Sequence, residues 1–517
     1  MAQTIIQNFI GGSRQSDVSK VCEAYSLNMF PETQDGEQAT SGRILRSIYG
    51  TSTFTDTGEN WCRGLFRASR DQNSEPVLFG CFGSTIYLIE KNGVLHRIGD
   101  VANTSNTPVS MCETGGYGDA HPHLIVCDGI SVFAVDTTLS FEGMVEDWRR
   151  LPLPLRAASE DTYIAPTHCA YLYNYLIVND AGTDAVYLSE QYPFETFDEY
   201  GSLNYDVFQT AKYGGYGFAV YSEWATDKTL AIAGNGSFLY TFGDRSFQVF
   251  SHNNDVNFPF SSGDGCSSNI GIRAVNSIAV IGRNIFWLGA SDIGQNGIFT
   301  AVGNETERIS TPDIERQIAK MTYPEDAVGQ AWQENQHVFY SITFITDKKT
   351  FVYDVNEKVW HNRESYERGL WRPQFACFAY NKLFFGLLDG GQLIYSDSST
   401  FKEFDGLPIV RLRRGGFLYS NMSPMFCDAF RLVTNSGQLR PDQCDLVPQI
   451  MCRWSWNGDE WSDKEIGLYG RIGQYNTDVT WWHLGCGKFL VVEVSCSEDI
   501  EFTIVAAKIE SEQTGLF

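Results

Sequence analysis

Five tryptophans near the carboxyl-terminal end of the chain have types and spacing that could do chemistry. Three of them lie in the segment WSWNGDEW beside Asp459 and Glu460, and two more follow at Trp481 and Trp482. Aromatic faces can stack on sugar rings, and two carboxylates can hydrolyse a glycosidic bond. The same residues also fit a structural hairpin of the Asp-box type, or the packed edge of an assembly module.

The catalytic interpretation of WSWNGDEW needs more than this segment provides. The segment is one residue short of an Asp box, which is itself a turn remote from catalysis. A glycosidase requires two carboxylates across a cleft, or a tyrosine nucleophile with an arginine cluster, and no spacing here establishes either. We therefore predict that the tryptophans pack in the core of a β domain or at a subunit or partner interface. The candidates are Trp456, Trp461, Trp481 and Trp482.

A second candidate group is the basic segment RLRRGG in an otherwise acidic chain. On a strand, Arg411 and Arg413 would point to the same side, where they could contact a partner's acidic residues or a phosphate. Solvated charges at a strand edge are the alternative. Arg411, Arg413 and Arg414 are thus candidate interface residues.

The remaining motifs do not define a catalytic, metal or cofactor site. A zinc site at His121 and His123 would need further ligands, so a turn is expected there. Asp264 in SSGDGC lacks the other acidic residues of a calcium loop. Neither GGYG segment, at 115–118 and 214–217, leads from a strand into a helix as a phosphate-binding loop does. We predict that the chain is not an enzyme and holds no cofactor and no metal.

Composition indicates a large folded chain. Of its 517 residues, 43% are apolar, 14% aromatic and 20% charged, a balance unlike that of disordered chains. The thirteen cysteines have no metal-finger or disulfide-type spacing, so we expect buried thiols and a reducing compartment. There is no signal segment and no apolar run near about 18 residues, so we expect a soluble protein without stable membrane insertion.

The net charge of −25 bears on nucleic-acid binding. It disfavours tight wrapping of DNA, which depends on neutralising phosphates. A wall that repels phosphate would still let a duplex pass without sticking, whereas a solubilising acidic surface is the simpler interpretation.

One strand-turn-strand pattern recurs through the middle of the chain. Its second strand carries an aliphatic residue followed by Tyr or Phe, at intervals of 42 to 59 residues. The seven pairs are Ile86/Tyr87, Val132/Phe133, Val186/Tyr187, Leu239/Tyr240, Ile298/Phe299, Val352/Tyr353 and Ile394/Tyr395. A period near fifty with several strands per unit is typical of a β-propeller, here with six or seven blades. A β-sandwich with hairpins at chance spacing is the alternative.

The ends of the chain differ from its middle. We predict an N-terminal arm and platform part over 1–60, a β-propeller over 61–406 and a C-terminal β platform or nozzle domain over 407–517. The predicted fold class is thus all-β, with a β-rich platform formed by both terminal segments. One helix is expected in STPDIERQIAKM, where Ser310 or Thr311 can cap and Pro312 suits the first turn.

In this order of motifs the chain resembles the tail-hub or tail-nozzle proteins of short-tailed bacteriophages, also called packaged-DNA stabilisation proteins. The resemblance covers nearly the full length. It rests on FIGGSRQSDVSKVCEAYSLNMFPE, Gly265-Cys266, Trp287-Leu288-Gly289, Arg308 to Thr311, WHNR at 360–363, Trp371-Arg372, Asp389 to Gly391, Arg411 to Arg413 and TWWHLG. His483 stands where members of this family more usually have an arginine.

The resemblance implies a structural virion protein of the phage tail, synthesised in the host cytoplasm. Six copies would form a ring below the portal and adaptor proteins, with the propellers outside. This ring would close the DNA channel, retain the genome, dock fibres or spikes, and conduct viral DNA during ejection without sequence-specific binding. Two alternatives stay open: a sialidase-like or tail-spike propeller that binds or hydrolyses glycans, and a cellular propeller that acts as an interaction scaffold.

Overall fold

The chain folds mainly into antiparallel β-sheets. The computed structural model describes residues 2–6, 8–15, 23–34, 42–70, 75–115, 121–154, 162–194, 207–208, 227–253, 259–263, 267–291, 296–420, 423–475 and 477–513. Asp264, Gly265, Cys266, Cys22 and the GGYG residues at 116–118 and 214–217 lie outside this set. Within it, no helix is long and apolar enough to cross a membrane.

The first six strands divide between two parts of the molecule. They are β1 (Ala2–Ile5), β2 (Arg14–Gln15), β3 (Glu23–Leu27), β4 (Met29–Thr33), β5 (Arg43–Ser47) and β6 (Gly50–Asp56). β1, β3 and β5 pair with strands from the C-terminal part of the chain, β2 and β4 pair with β3 and β5, and all five belong to the platform, whereas β6 joins a propeller sheet. The predicted boundary at residue 60 therefore falls after a strand that belongs to the propeller.

Seven sheets follow one another in the described residues of the propeller. The first three comprise β7 (Cys62–Ala68), β8 (Val77–Phe82), β9 (Thr85–Ile89) and β10 (Leu95–Asp100); β11 (Ser110–Glu113), β12 (His123–Cys127), β13 (Val132–Asp136) and β14 (Arg149–Arg150); and β15 (Cys169–Leu172), β16 (Tyr175–Asn179) and β17 (Val186–Gln191). Each sheet uses consecutive strands, so its pairing is local in sequence.

The fourth to sixth propeller sheets also use consecutive strands, and the seventh adds β6 from the start of the chain. The fourth has β18 (Ala231–Asn235), β19 (Phe238–Phe242), β20 (Phe247–His252), β21 (Phe260–Ser261) and β22 (Ser267–Ser268); the fifth has β23 (Ile270–Ile272), β24 (Ala279–Ile281), β25 (Asn284–Ser291), β26 (Asn296–Val302) and β27 (Glu305–Arg308). The sixth has β28 (Val328–Glu334), β29 (His337–Phe344), β30 (Lys349–Asp354) and β31 (Val359–Asn362), and the seventh has β32 (Pro373–Ala379), β33 (Lys382–Leu387), β34 (Gly390–Asp397) and β6.

The β-propeller predicted from the repeated aliphatic-aromatic pairs is confirmed. Each of the seven pairs lies on a strand of a different sheet, and all seven aliphatic members are completely buried. Neighbouring sheets contact each other along the ring, and β32 of the last sheet contacts β7 of the first. Stacking the sheets in a ring buries faces that no single sheet could cover.

Two α-helices occur in the described residues, α1 (Phe141–Asp147) and α2 (Pro312–Ala319). As predicted, Thr311 caps α2 by accepting a hydrogen bond from the amide of Ile314, and Pro312 occupies the first turn. Ile314 and Ile318 are buried in a core shared by the fifth and sixth sheets. Short 3₁₀ segments lie at Val275–Ser277, Pro324–Asp326 and Pro441–Gln443.

The platform combines both ends of the chain in two sheets. Its C-terminal strands are β35 (Arg411–Arg414), β36 (Met425–Thr434), β37 (Gln449–Ser455), β38 (Glu465–Leu468), β39 (Val479–Gly487), β40 (Val491–Cys496) and β41 (Thr503–Gln513). One sheet has the order β39-β36-β41-β5-β4, with β1 added beside β41. The other has β3-β35-β40-β37-β38 and continues into the sixth propeller sheet, because β3 also pairs with β31.

Asn28 ties the platform to the propeller between β3 and β4. Its side-chain nitrogen donates to the carbonyl oxygens of Glu364 (3.0 Å) and Val410 (2.9 Å), and its side-chain oxygen accepts from the amide of Glu364 (3.0 Å). The residue is completely buried and has a φ of 54°, a left-handed conformation that asparagine tolerates better than most residues.

Candidate assembly site on the platform

Arg413 anchors the start of the chain inside the platform. The side chain is 1% exposed, and its guanidinium donates only to backbone carbonyls in the contacts that follow. These are Phe9 (2.6 Å from Nε), Gly11 and Gly12 (2.8 and 3.1 Å from Nη1) and Asn8 (3.4 Å from Nη2). One side chain thereby satisfies four acceptors of a segment that has no regular structure of its own.

Arg411 likewise donates hydrogen bonds to backbone carbonyls, here in the turn between β40 and β41. It is completely buried and donates to the carbonyl oxygens of Cys496 (3.3 Å from Nε), Ile500 (2.6 Å from Nη1) and Glu498. Burial lowers the pKa of Arg411 below that of an exposed arginine. Arg411 and Arg413 share one side of β35, as the alternation predicted. The expectation of a partner contact is corrected, however, because carbonyls of the same chain occupy both guanidinium groups.

Arg414 faces the other side of β35 and joins a charged stack. Its Nη2 lies 2.8 Å from Glu493, and Nε of Arg453 lies 2.6 Å from the same carboxylate, which is almost completely buried. Both guanidinium carbons lie over the ring of Trp461, at 4.8 and 4.7 Å from its centroid. Trp461 therefore covers two arginines of its own chain through cation–π contacts, and it is only partly exposed.

The segment WSWNGDEW forms a turn held by its own polar side chains. The hydroxyl of Ser455 accepts from the amide of Gly458 (2.9 Å), and Oδ1 of Asn457 accepts from the amides of Asp459 (3.0 Å) and Glu460 (2.8 Å). The indole of Trp456 donates to the carbonyl of Leu484 at 2.8 Å. These contacts give the segment a structural role, with its two acids on the exposed tip.

Trp481 and Trp482 lie on opposite faces of β39. Trp481 is 2% exposed and donates its indole hydrogen to the carbonyl of Glu465, so it belongs to the platform core rather than to an accessible interface. Trp482 is 48% exposed, and the Arg431 guanidinium lies 5.6 Å from its ring centroid. Of the four tryptophans proposed for an interface, Trp482 is the most accessible.

Four further large apolar residues are exposed near Trp482 in sequence, all between 466 and 475. They are Ile466 (58%), Leu468 (56%), Ile472 (40%) and Tyr475 (66%). β38 is the edge strand of one platform sheet and β39 the edge strand of the other, and the two strands contact each other. We call these five residues the apolar edge. Sequence reasoning missed it, although the alternation Ile466-Gly467-Leu468 was the available signal.

Gly467 shows why β38 presents its large side chains outward. A Cβ at Gly467 would lie 2.3 Å from a methyl of Val479 and 2.6 Å from the ring of Trp481. The inward side of β38 therefore tolerates no side chain there. Ile466 and Leu468 are therefore exposed apolar residues on an edge strand, a position where protein–protein contacts can form.

A cavity of about 570 Å³ lies at the centre of the propeller. Strands from all seven sheets or their connections line it. Glu113 is the single carboxylate among its described lining residues, and burial raises the pKa of that carboxyl while Ser69 hydrogen-bonds to it. This part of the cavity lacks the paired carboxylates that glycoside hydrolysis uses.

The two histidines of the HPH segment are held within the second propeller sheet. Nδ1 of His121 lies 2.8 Å from Asp136, and His123 is buried and stacks on Phe194. Among the residues with described positions, no group of three or more His, Cys, Asp or Glu could hold a metal ion.

One protein-family model matches the chain. The family is described as "Bacteriophage P22 Gp10, beta-propeller", and the match covers residues 156–400, just under half of the chain. It supports a phage tail-related structural protein and a component of the virion, and it agrees with the propeller fold described above. No curated protein that was compared with this chain matches it.

Solved structures similar to this chain are distant. A virginiamycin B lyase from Staphylococcus aureus is 9% identical, with a TM-score of 0.40 over 67% of this chain and 98% of the lyase. A putative 6-phosphogluconolactonase from Bacteroides fragilis is 11% identical, with a TM-score of 0.36 over 68% and 89%. The Pan2 WD40 domain of Neurospora crassa is 7% identical, with a TM-score of 0.39 over 68% and 96%.

Proposed function

We propose that this chain is the tail-hub or nozzle protein of a short phage tail. Six copies form a ring below the portal and adaptor proteins, close the DNA channel after packaging, and retain the genome. The ring docks fibres or spikes and conducts DNA during ejection. The match of residues 156–400 to the propeller family of a phage tail protein is the observation that carries this proposal.

The apolar edge is the proposed contact between neighbouring subunits. Trp482, Ile466 and Leu468 lie on adjoining edge strands of the platform, where a second copy could cover them. Burying them would remove apolar area from water, at roughly 25 cal/mol per Å². The platform would then form the body of the ring, with the propellers outside it.

The acidic balance supports a conducting role rather than a binding role for DNA. The chain carries 63 acidic and 38 basic residues, and several arginines are engaged internally. Arg411 and Arg413 are buried, and Arg414 and Arg453 share the carboxylate of Glu493. Repulsion of phosphate lets a duplex slide without sticking.

We further propose that the chain acts without catalysis. The central cavity of the propeller has Glu113 as the single carboxylate of its described lining, and the acids of WSWNGDEW lie on a turn at the surface. A glycan-cleavage assay on purified protein should give no product, and cleavage would favour the glycan-hydrolysing alternative.

Electron-microscope imaging of the purified protein, alone and mixed with its candidate adaptor protein, tests the ring. We expect sixfold rings with a central hole that stack on the adaptor. Trp482→Ala and Leu468→Asp should reduce ring formation at least tenfold, whereas Tyr163→Ala, at a 62% exposed site on the propeller, should leave it unchanged. Monomers that ignore the adaptor would contradict the proposal.

A further inference from the structure

Arg363 is a buried cation enclosed by aromatic rings at the seam between the sixth and seventh propeller sheets. Its side chain is 2% exposed. Its guanidinium carbon lies 5.0 Å from the ring centroids of Trp332 and Phe339 and 4.9 Å from that of Trp371. Burial lowers the pKa of Arg363 to about 10. Cation–π contacts stabilise the charge but satisfy none of its N–H donors.

The hydrogen bonds of this guanidinium are incomplete. Nε lies 3.4 Å from Nε2 of His361, and Nη1 lies 3.9 Å from a carboxylate oxygen of Glu334, which is too long for a direct hydrogen bond. Nη2 is buried and has no hydrogen-bond partner among the described residues. A charged donor in this state is costly unless something else accepts its hydrogen.

A small cavity adjoins Arg363 and offers the missing acceptor a place. Its volume is about 20 Å³, which is enough for one water molecule, since a buried water needs roughly 10–15 Å³. Three acidic residues, Glu334, Glu364 and Glu403, and the hydroxyl residues Ser365 and Ser396 are among its lining residues. A water needs two to four polar partners, and this lining provides them.

We propose that the cavity is a binding site for one water molecule that completes the coordination of Arg363. The water accepts a hydrogen bond from Nη2 and donates its own hydrogens to the carboxylates of Glu334 and Glu403. The separation of 3.9 Å between Arg363 and Glu334 is then part of a water-mediated ion pair. A halide ion would fit the guanidinium, but three acidic residues line the cavity, so the water is favoured.

The position of this site gives it a structural consequence. Ile48 lines it from the connection that enters the propeller, Thr51 from the start of β6, and Ile409 from the connection that leaves for the platform. The water therefore lies beside the buried charge of Arg363, at the point where the two connections between the platform and the propeller come together. This inference does not depend on ring assembly.

A crystal structure of the full chain at about 1.8 Å resolution, with a second crystal soaked in sodium bromide, tests the site. We expect one peak within hydrogen-bond distance of Nη2 and of a carboxylate oxygen, with no anomalous signal from bromide. An empty cavity, or a direct contact between Arg363 and Glu334, would overturn the proposal. A bromide peak would overturn it in favour of an anion site.

A variant provides an independent measurement. Glu334→Gln keeps the size of the side chain but removes the charge that the water is proposed to link, so the peak should weaken or disappear. Glu357→Gln, in the turn between β30 and β31 and outside the cavity lining, is the matched control and should leave the peak unchanged. An unchanged peak in Glu334→Gln would also contradict the proposed coordination.

Discussion

The propeller and the platform are both antiparallel β-structures, but they are assembled in different ways. Each propeller sheet consists mainly of consecutive strands joined by short turns, and apolar side chains fill the contacts between sheets. The platform instead pairs strands from opposite ends of the chain, such as β1 with β41 and β3 with β35. Its interior includes the buried arginines Arg411 and Arg413.

This difference shows what each architecture requires of its side chains. A hairpin brings its strands together through a short loop, so mainly apolar burial stacks the sheets. Buried arginines are fewer relative to the size of the propeller and hold its loops, as Arg63 does by donating to the carbonyls of Thr107, Gly83 and Asn103. The chain ends have no such covalent proximity, and irregular segments among them leave carbonyls that must be satisfied. Arginines with several directed donors supply that in the platform.

Arg413→Met should have the largest effect on the difference in stability between the platform and the propeller. It removes the donors for four carbonyls of residues 8 to 12 while keeping an apolar stem. We expect the free energy of unfolding to fall by at least about 3 kcal/mol. Hydrogen exchange followed by mass spectrometry should show lost protection in the platform before the propeller.

The control for Arg413→Met is Arg283→Met, at an exposed turn of the propeller. It should change the free energy of unfolding by less than about 0.5 kcal/mol. Equal loss of protection in the propeller and the platform for Arg413→Met would show that the two parts do not differ in the way described.

Gly329→Ala tests the close approach of neighbouring propeller sheets. A Cβ on Gly329 would lie 2.0 Å from the carbonyl oxygen of Ser277, which is backbone and also accepts a hydrogen bond from the Tyr340 hydroxyl. We expect a loss of between about 2 and 3 kcal/mol in thermal or urea unfolding. Gly416→Ala, in open space on the platform side, should be nearly neutral, and a neutral Gly329→Ala would contradict the tight seam.

The pH dependence of stability should be stronger in the propeller. Burial lowers the pKa of His168, in the wall of the central cavity, to about 4. The unfolded chain therefore binds a proton near pH 6.5, before the folded chain does. Stability should fall as pH decreases through that range, by up to about 2 kcal/mol between pH 7 and pH 5.

Three other propeller histidines also affect this profile. Burial lowers the pKa of His123 and, together with the charge of Arg363, that of His361, so both act in the same direction as His168. Burial also lowers the pKa of His337, but Asp354 outweighs it and the pKa is raised. The contribution of His337 is therefore present at low pH and lost as pH rises. Melting curves from pH 5 to 8 should be flatter for His168→Gln and unchanged for His483→Gln.

Trp461→Ala should have the smallest effect of the four. It removes the ring that covers Arg414 and Arg453, worth about 1 kcal/mol in total at a partly exposed site. Chemical denaturation should detect this loss in the platform. Trp482→Ala is the control and should leave the stability of the monomer within about 0.5 kcal/mol. A larger effect for Trp482 would mean that it supports the fold of its own subunit.

The propeller was predictable from the sequence because its information is local. Alternating strands, turn residues and the repeated aliphatic-aromatic pairs lie within about fifty residues of each other, and they predicted the ring and the burial of Ile86 or Val352. The helix at Pro312–Ala319 was predictable for the same reason, since its cap and apolar face are adjacent in sequence.

The candidate site was predicted only in part. Alternation correctly placed Arg411 and Arg413 on one side of β35 but could not say what lies there. The acceptors of Arg413 come from residues about four hundred positions earlier. For a similar reason, Trp481 is buried and its neighbour Trp482 is exposed, because the elements that pack on β39 cover only one of its faces.

By itself, the sequence determined the fold class, the repeated sheets, the capped helix and the acidic character, all of which follow from short-range patterns and composition. Only the tertiary structure decided three things. β6 completes the last propeller sheet, Arg411 and Arg413 donate their hydrogen bonds to buried backbone carbonyls, and Trp482 lies on the apolar edge. The physical reason is that these outcomes depend on pairing between distant segments. Side-chain alternation records which residues share a face, but it does not record what that face meets.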